Sequence, residues 1–246
     1  MIDSIWLFAL AALATLFAGV SKGGFGSGAA FASSALLALV MPPAAALGIM
    51  LPLLMLIDVT ALPSFWRRWS WPDARLLILG GLPGVVLGAV LFTVANDDVL
   101  RLLIGAVALT FVLWRLAPYT PSRHIEPGWL GGVAGLVSGF TSFVSHAGGP
   151  SAAVYLLARG LDKTTYQSTT VLVFWALNVA KAVPYGFLGV FTAETLLAGL
   201  WLAPFAVGGT FLGVWAHRII PERLFFGVTY VMLTLTGAKL IWDALV

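Results

Sequence analysis

The stretch SKGGFGSG, Ser21–Gly28, sets one lysine among four glycines between two apolar runs. Glycine at this density weakens a helix and bares backbone N–H and C=O groups. Within lipid such a break is tolerated only where it lies against protein or lines a cavity. Residues 2–40 are therefore either two full crossings joined by a cytoplasmic turn that holds Lys22, or one re-entrant hairpin whose tip reaches the membrane midplane.

The lipid setting follows from composition. Of 246 residues 60% are hydrophobic and 9% charged, with a mean hydropathy of +1.00, which reads as a polytopic membrane protein. The opening MIDSIWLFAL has Asp3 in place of the positive flank of a signal peptide, so the first apolar run is expected to remain in the mature chain. The net charge of +3 is read as a topology signal, and no nucleic-acid partner is expected. There is no cysteine, hence no disulfide or thiolate metal site. The sequence shows no HExxH, phosphate-loop or GxGxxG dinucleotide motif. No enzyme activity, catalytic residue, metal or cofactor is therefore expected.

Apolar runs predict crossings at 44–65, 74–95, 98–117, 166–189, 194–216 and 222–243. Residues 2–40 and 128–159 are too long for one helix and are broken, the second at SHAGGPS, Ser145–Ser151. Short cytoplasmic loops retain Lys and Arg. Arg67, Arg68 and Arg75, then Arg115 and Arg123, Arg159 and Lys163, and Arg218 and Arg223 mark alternate connections, and the loops between hold NDD with Arg101 and Glu194. The alternation holds only if each broken region leaves and returns on one side. Both are then hairpins, and both chain ends lie outside the cytoplasm.

A hairpin followed by three crossings makes each half odd, so the second half enters inverted. Internal similarity supports this pairing: SGAAF matches PSAAV at Ala29 and Ala152, IDVTALP matches LNVAKAVP at Asp58 and Asn178, and GVVLG matches GTFLG at Gly84 and Gly209. The expected fold is an all-α polytopic membrane protein with an inverted repeat. Residues 1–117 form the first membrane repeat, 118–127 a cytoplasmic linker and 128–246 the second. Inverted repeats with interrupted helices place a transporter's substrate site near the midplane.

Lys22, Asp58 and Lys181 are the strongly charged residues deep in apolar sequence. A charge at a helix centre costs about 2.5–3.5 kcal/mol on insertion scales, so such residues pair or face a cavity. In the re-entrant reading, Lys22, Gly23 and Gly24 offer charge and backbone N–H groups to an anion, and His146, Gly148 and Gly149 repeat the device at the second tip. Asn178 and Lys181 share one helix face. Asp58 is either the structural ion-pair partner of Lys181 or the carrier of a coupling proton or cation, with Lys181 as an anion clamp.

AGVSKGGFGSG early in the chain and GLVSGFTSFVSHAGGP at its middle resemble the glycine motifs of the TauE/SafE family, bacterial sulfite and organosulfonate exporters, over nearly the whole chain. The resemblance implies a multi-pass transporter of the bacterial cytoplasmic membrane. Its partners would be a small sulfur-containing anion such as sulfite, sulfoacetate or a related sulfonate, a proton or other coupling ion, and membrane lipid. A homodimer is compatible with it. The alternative reading is a passive anion channel or a non-transporting membrane scaffold.

Overall fold

The computed structural model describes residues 4–25, 30–116, 128–216 and 222–246. The linker 118–127, Arg123, Arg218, Gly26 and Gly28 lie outside them. The described residues form ten α-helices and no strand: α1 (Ile5–Val20), α2 (Phe31–Ala38), α3 (Pro43–Ala61), α4 (Trp71–Val94), α5 (Asp97–Leu116), α6 (Gly128–Ser145), α7 (Gly149–Ala158), α8 (Lys163–Phe187), α9 (Ala193–Ala216) and α10 (Glu222–Leu245). Among the described residues, six stretches are long and apolar enough to cross a membrane: Ile5–Phe25, Pro43–Phe65, Trp71–Val94, Gly128–Ser145, Lys163–Phe187 and Ala193–Ala216. The protein is an all-α, multi-pass membrane protein. Large apolar side chains such as Trp6, Val94 and Phe187 are exposed on its outer surface, as lipid-facing positions are.

Both broken regions are helical hairpins of unequal legs. α1 continues through one π-helical turn, Ser21–Phe25, so Lys22, Gly23 and Gly24 sit in a widened helix instead of a loop. The returning helices α2 and α7 have 8 and 10 residues, about 12 and 15 Å at 1.5 Å per residue, against a hydrocarbon core of about 30 Å. Neither is long enough to cross. Pro150 stands in the first turn of α7, where its missing N–H has no helical partner to lose.

Glycines decide which helices touch. A Cβ on Gly19, Gly23 or Gly24 would strike the backbone of Ala206, Thr210 or Gly213 of α9, while one on Gly209 would strike Leu16 of α1. The same device joins α4 to α6, where Gly80, Gly84 and Gly139 lie against the backbones of Gly132, Leu136 and Gly81. Backbones at this separation exclude any larger residue. Each hairpin's long leg therefore packs on a helix of the other half. α3 meets α8 and α5 meets α10 across the same division.

At the foot of α8, Asp162 caps the helix by accepting from the backbone N–H groups of Thr164 and Thr165. The Thr165 hydroxyl, first, and then these N–H groups hold its carboxyl below the usual range, since they favour the charged form. Asp73 on α4 accepts from Tyr155 Oη at 2.8 Å and from Arg159 Nε at 3.0 Å, which ties the end of α7 to the start of α4.

Candidate functional site

α3 is apolar, with proline in its first turn and Pro52 within it; it delivers Asp58 to a position with no solvent exposure. α8 carries Gln167, Asn178 and Lys181 on the face turned into the protein, all of them buried. The three-residue spacing of Asn178 and Lys181 puts both on that face, as the sequence predicts.

Lys22 Nζ lies 2.6 Å from Asp58 Oδ1, and Asn178 Nδ2 donates to Asp58 Oδ2 at 2.8 Å. The backbone carbonyl of Lys22 accepts from Gln167 Nε2 at 2.5 Å, so a glutamine amide fills part of the disturbed hydrogen-bond ladder at the π turn. The counter-ion of Asp58 is thus Lys22, not Lys181. Lys181 is nearly one turn beyond Asn178 and faces α6.

There Lys181 Nζ donates to the Ser142 carbonyl at 3.0 Å and to Ser142 Oγ at 2.9 Å, and lies 2.9 Å from His146 Nδ1. His146 Nε2 is 3.2 Å from the carbonyl of Leu47 on α3. That carbonyl only accepts, so Nε2 carries a proton and Nδ1 is left to receive the lysine's. His146 has φ +57°, a left-handed backbone that costs a non-glycine residue of order 1 kcal/mol or more. Through this turn the imidazole joins the hairpin tip to α3 and α8 together.

Lys22, Ala30, Leu54, Ser142, His146, Phe174 and Asn178 enclose a cavity of about 10 Å³, space for one water at most. Ala30 is the N-cap residue of α2, so the positive end of that helix faces the cavity. The site is closed in this conformation. Two wider grooves, of about 550 Å³ between α4 and α8 and about 320 Å³ between α5 and the second hairpin, are lined mainly by apolar side chains and open outward.

Of the residues singled out in the sequence, Lys22, Asp58, His146, Asn178 and Lys181 converge on one buried polar cluster. Gly23 and Gly24 face α9. Gly148 is pressed against Ser138, Ser142 and Phe174, and Gly149 begins α7. Sequence reading missed Ser142 and Gln167. Ser142 stands one helical turn before His146 in an apolar helix, a polar spacing that could have marked it; Gln167 had no comparable signal.

A family model described as Sulfite exporter TauE/SafE matches residues 11–240 of the chain. No curated protein and no solved structure matches it.

Proposed function

We propose, from the premise that the chain belongs to the TauE/SafE sulfite exporter family, that it is a secondary transporter which exports small sulfur-containing anions across the cytoplasmic membrane. Sulfite, sulfoacetate and related organosulfonates are the substrates the reading names, and a proton or other ion gradient drives them. The observation that carries it is the buried cluster itself: Lys22, His146 and Asn178 line a small cavity at the meeting of both hairpins with α3 and α8, and Asp58 and Lys181 contact these residues directly. Buried charges are expensive and persist where they have partners or a ligand.

The inverted repeat belongs to the same proposal. Asp58 and Asn178, matched by internal similarity, bond to each other, as residues beside a pseudo-twofold axis would. α1 on α9 corresponds to α6 on α4. With the arginine-rich loops inside, both termini lie outside, and the region of residue 70 should report cytoplasmic while those of residues 97 and 192 report external in reporter fusions. Equal signals at 70 and 97 would defeat that topology.

The site opens alternately to the two sides, and Asp58 takes up the coupling ion when its bond to Lys22 breaks. Purified protein in proteoliposomes should exchange sulfite and small sulfonates in counterflow. Asp58→Asn should lose gradient-driven accumulation and retain exchange. Normal accumulation by that variant would return Asp58 to a structural role. Flux in the wild type that ignores every imposed gradient would favour the passive channel.

A further inference from the structure

Each hairpin tip is tied to the long helix that follows the other hairpin by a hydrogen bond between a side chain and a backbone carbonyl. At the first tip, Gln167 Nε2 of α8 donates to the Lys22 carbonyl at 2.5 Å. At the second, His146 Nε2 donates to the Leu47 carbonyl of α3 at 3.2 Å. The two bonds correspond in sequence. Leu47 is the fifth residue of α3 and Gln167 the fifth of α8, and they stand 11 residues before Asp58 and Asn178, the pair matched by internal similarity. Lys22 and His146 each follow a serine, Ser21 or Ser145, at the start of a glycine motif.

The two bonds lie at opposite ends of the site. A Cβ on Gly48 of α3 would strike the carbonyl of Val190, just past the end of α8, whereas Ser168 near the start of α8 donates to the carbonyl of Phe65, past the end of α3. α3 and α8 therefore run antiparallel, and their first turns face opposite sides of the membrane. The small cavity lies between them. Its wall includes both tip residues, Lys22 and His146, with Leu54 and Phe174, which stand seven residues beyond Leu47 and Gln167. Each tip is also held on the long helix that follows it in sequence. Lys22 pairs with Asp58 of α3, and on α8 Lys181 contacts His146 while Tyr185 Oη donates to the Phe143 carbonyl at 2.6 Å.

We propose that Gln167 and His146 are positioning residues for transport: they latch the cavity shut on its two sides, Gln167 by holding the first tip to α8 and His146 by holding the second to α3, and each turnover releases one latch while the other holds. This deepens the transporter reading and rests on it. With both bonds made the cavity is sealed, the intermediate that alternating access passes through between its two open states. Glycine seams keep α1 on α9 and α6 on α4, so what parts from a tip is the first turns of α8 or of α3. The latches differ in one respect. Gln167 does not line the cavity, whereas His146 does and touches Lys181 through its other nitrogen. An anion in the cavity therefore reaches the second latch directly and the first only through Lys22.

The chain has no cysteine, so Leu54→Cys places a lone thiol in the cavity wall. Its rate of modification by a membrane-impermeant methanethiosulfonate, added to right-side-out or inside-out vesicles, reports which side is open. With both latches intact, labelling should be slow from either side. Gln167→Met, which keeps the length and loses the donor, should raise the rate about tenfold or more from the side where α8 begins and leave the other unchanged, since loss of one buried hydrogen bond shifts a population by about that much. Gln167→Asn, a polar variant too short for the same carbonyl, should do likewise. His146→Asn should open the side where α3 begins: asparagine tolerates the left-handed backbone, and its shorter amide does not reach Leu47. His146→Gln puts an N–H back in the place of Nε2 and should restore slow labelling. Thr170→Val, which removes a hydroxyl bonded to the Gln167 carbonyl in the same turn of α8, should leave both rates as they are. Faster labelling from one and the same side in the Gln167 and His146→Asn variants, rates unchanged in both, or no rescue by His146→Gln overturns the latches. Counterflow of sulfite by the wild type decides the transporter reading separately, and its failure leaves opposite-sided labelling unexplained by any structural role.

Discussion

Asp58→Leu is expected to cost about 3–5 kcal/mol of folding free energy, the range found when one partner of a buried ion pair is removed. Lys22 is 3% exposed, and the substitution leaves its ammonium without the carboxylate at 2.6 Å and Asn178 without its acceptor. The penalty belongs to the stranded charge more than to the lost bond. Lys22→Met combined with Asp58→Leu should therefore recover most of it, since an apolar pair of similar size carries no desolvation cost. Thermal or urea unfolding in detergent decides the matter. A double variant no more stable than Asp58→Leu alone would show that the cost lies elsewhere.

Gly209→Val should be comparably severe, while Gly208→Ala, one residue away, should change stability by no more than about 0.5 kcal/mol. A side chain on Gly209 meets the backbone of Leu16, whose carbonyl carbon and Cα would stand 3.1 Å from the new Cβ, whereas nothing lies within 4 Å of one on Gly208. Backbone does not yield as a side chain does, so α1 and α9 must separate, at about 3 kcal/mol or more. Comparing unfolding midpoints of the two variants isolates the seam from any general effect of replacing glycine. Equal loss in both would sink the close-packing account. Gly24 obeys the same geometry against Gly213, so a bulky residue there acts on the α1–α9 contact before it acts on any anion.

The hairpins and the depth of Lys22, Asp58 and Lys181 are legible because each follows from counting charges and apolar residues along the chain. The pairing of those charges was not. Asp58 has candidate partners 36 residues before it and 123 after it, as the numbering of Lys22 and Lys181 shows, and the choice depends on how α1, α3 and α8 cross. The two roles open to glycine, packing and anion approach, leave the same mark in sequence. At Gly23 and Gly24 contact with α9 distinguishes them. The π turn at Ser21–Phe25 was hidden for a similar reason. Its distinguishing partner, Gln167, comes from a distant helix.

The crossed packing of the two halves bears on how the protein is made. Gln167, whose amide serves the Lys22 carbonyl, lies 145 residues further along the chain, and α9, on which α1 rests, is synthesised later still. A ribosome thus delivers the first hairpin to the bilayer before Gln167 and α9 exist, with the Lys22 carbonyl and the glycine face of α1 not yet covered. α2, only 8 residues long, is too short to be stitched into the membrane as an independent span. The close seam between α1 and α9 then forms only after the last helices are made, and a chain cut at its middle leaves α1 without the backbone it packs on.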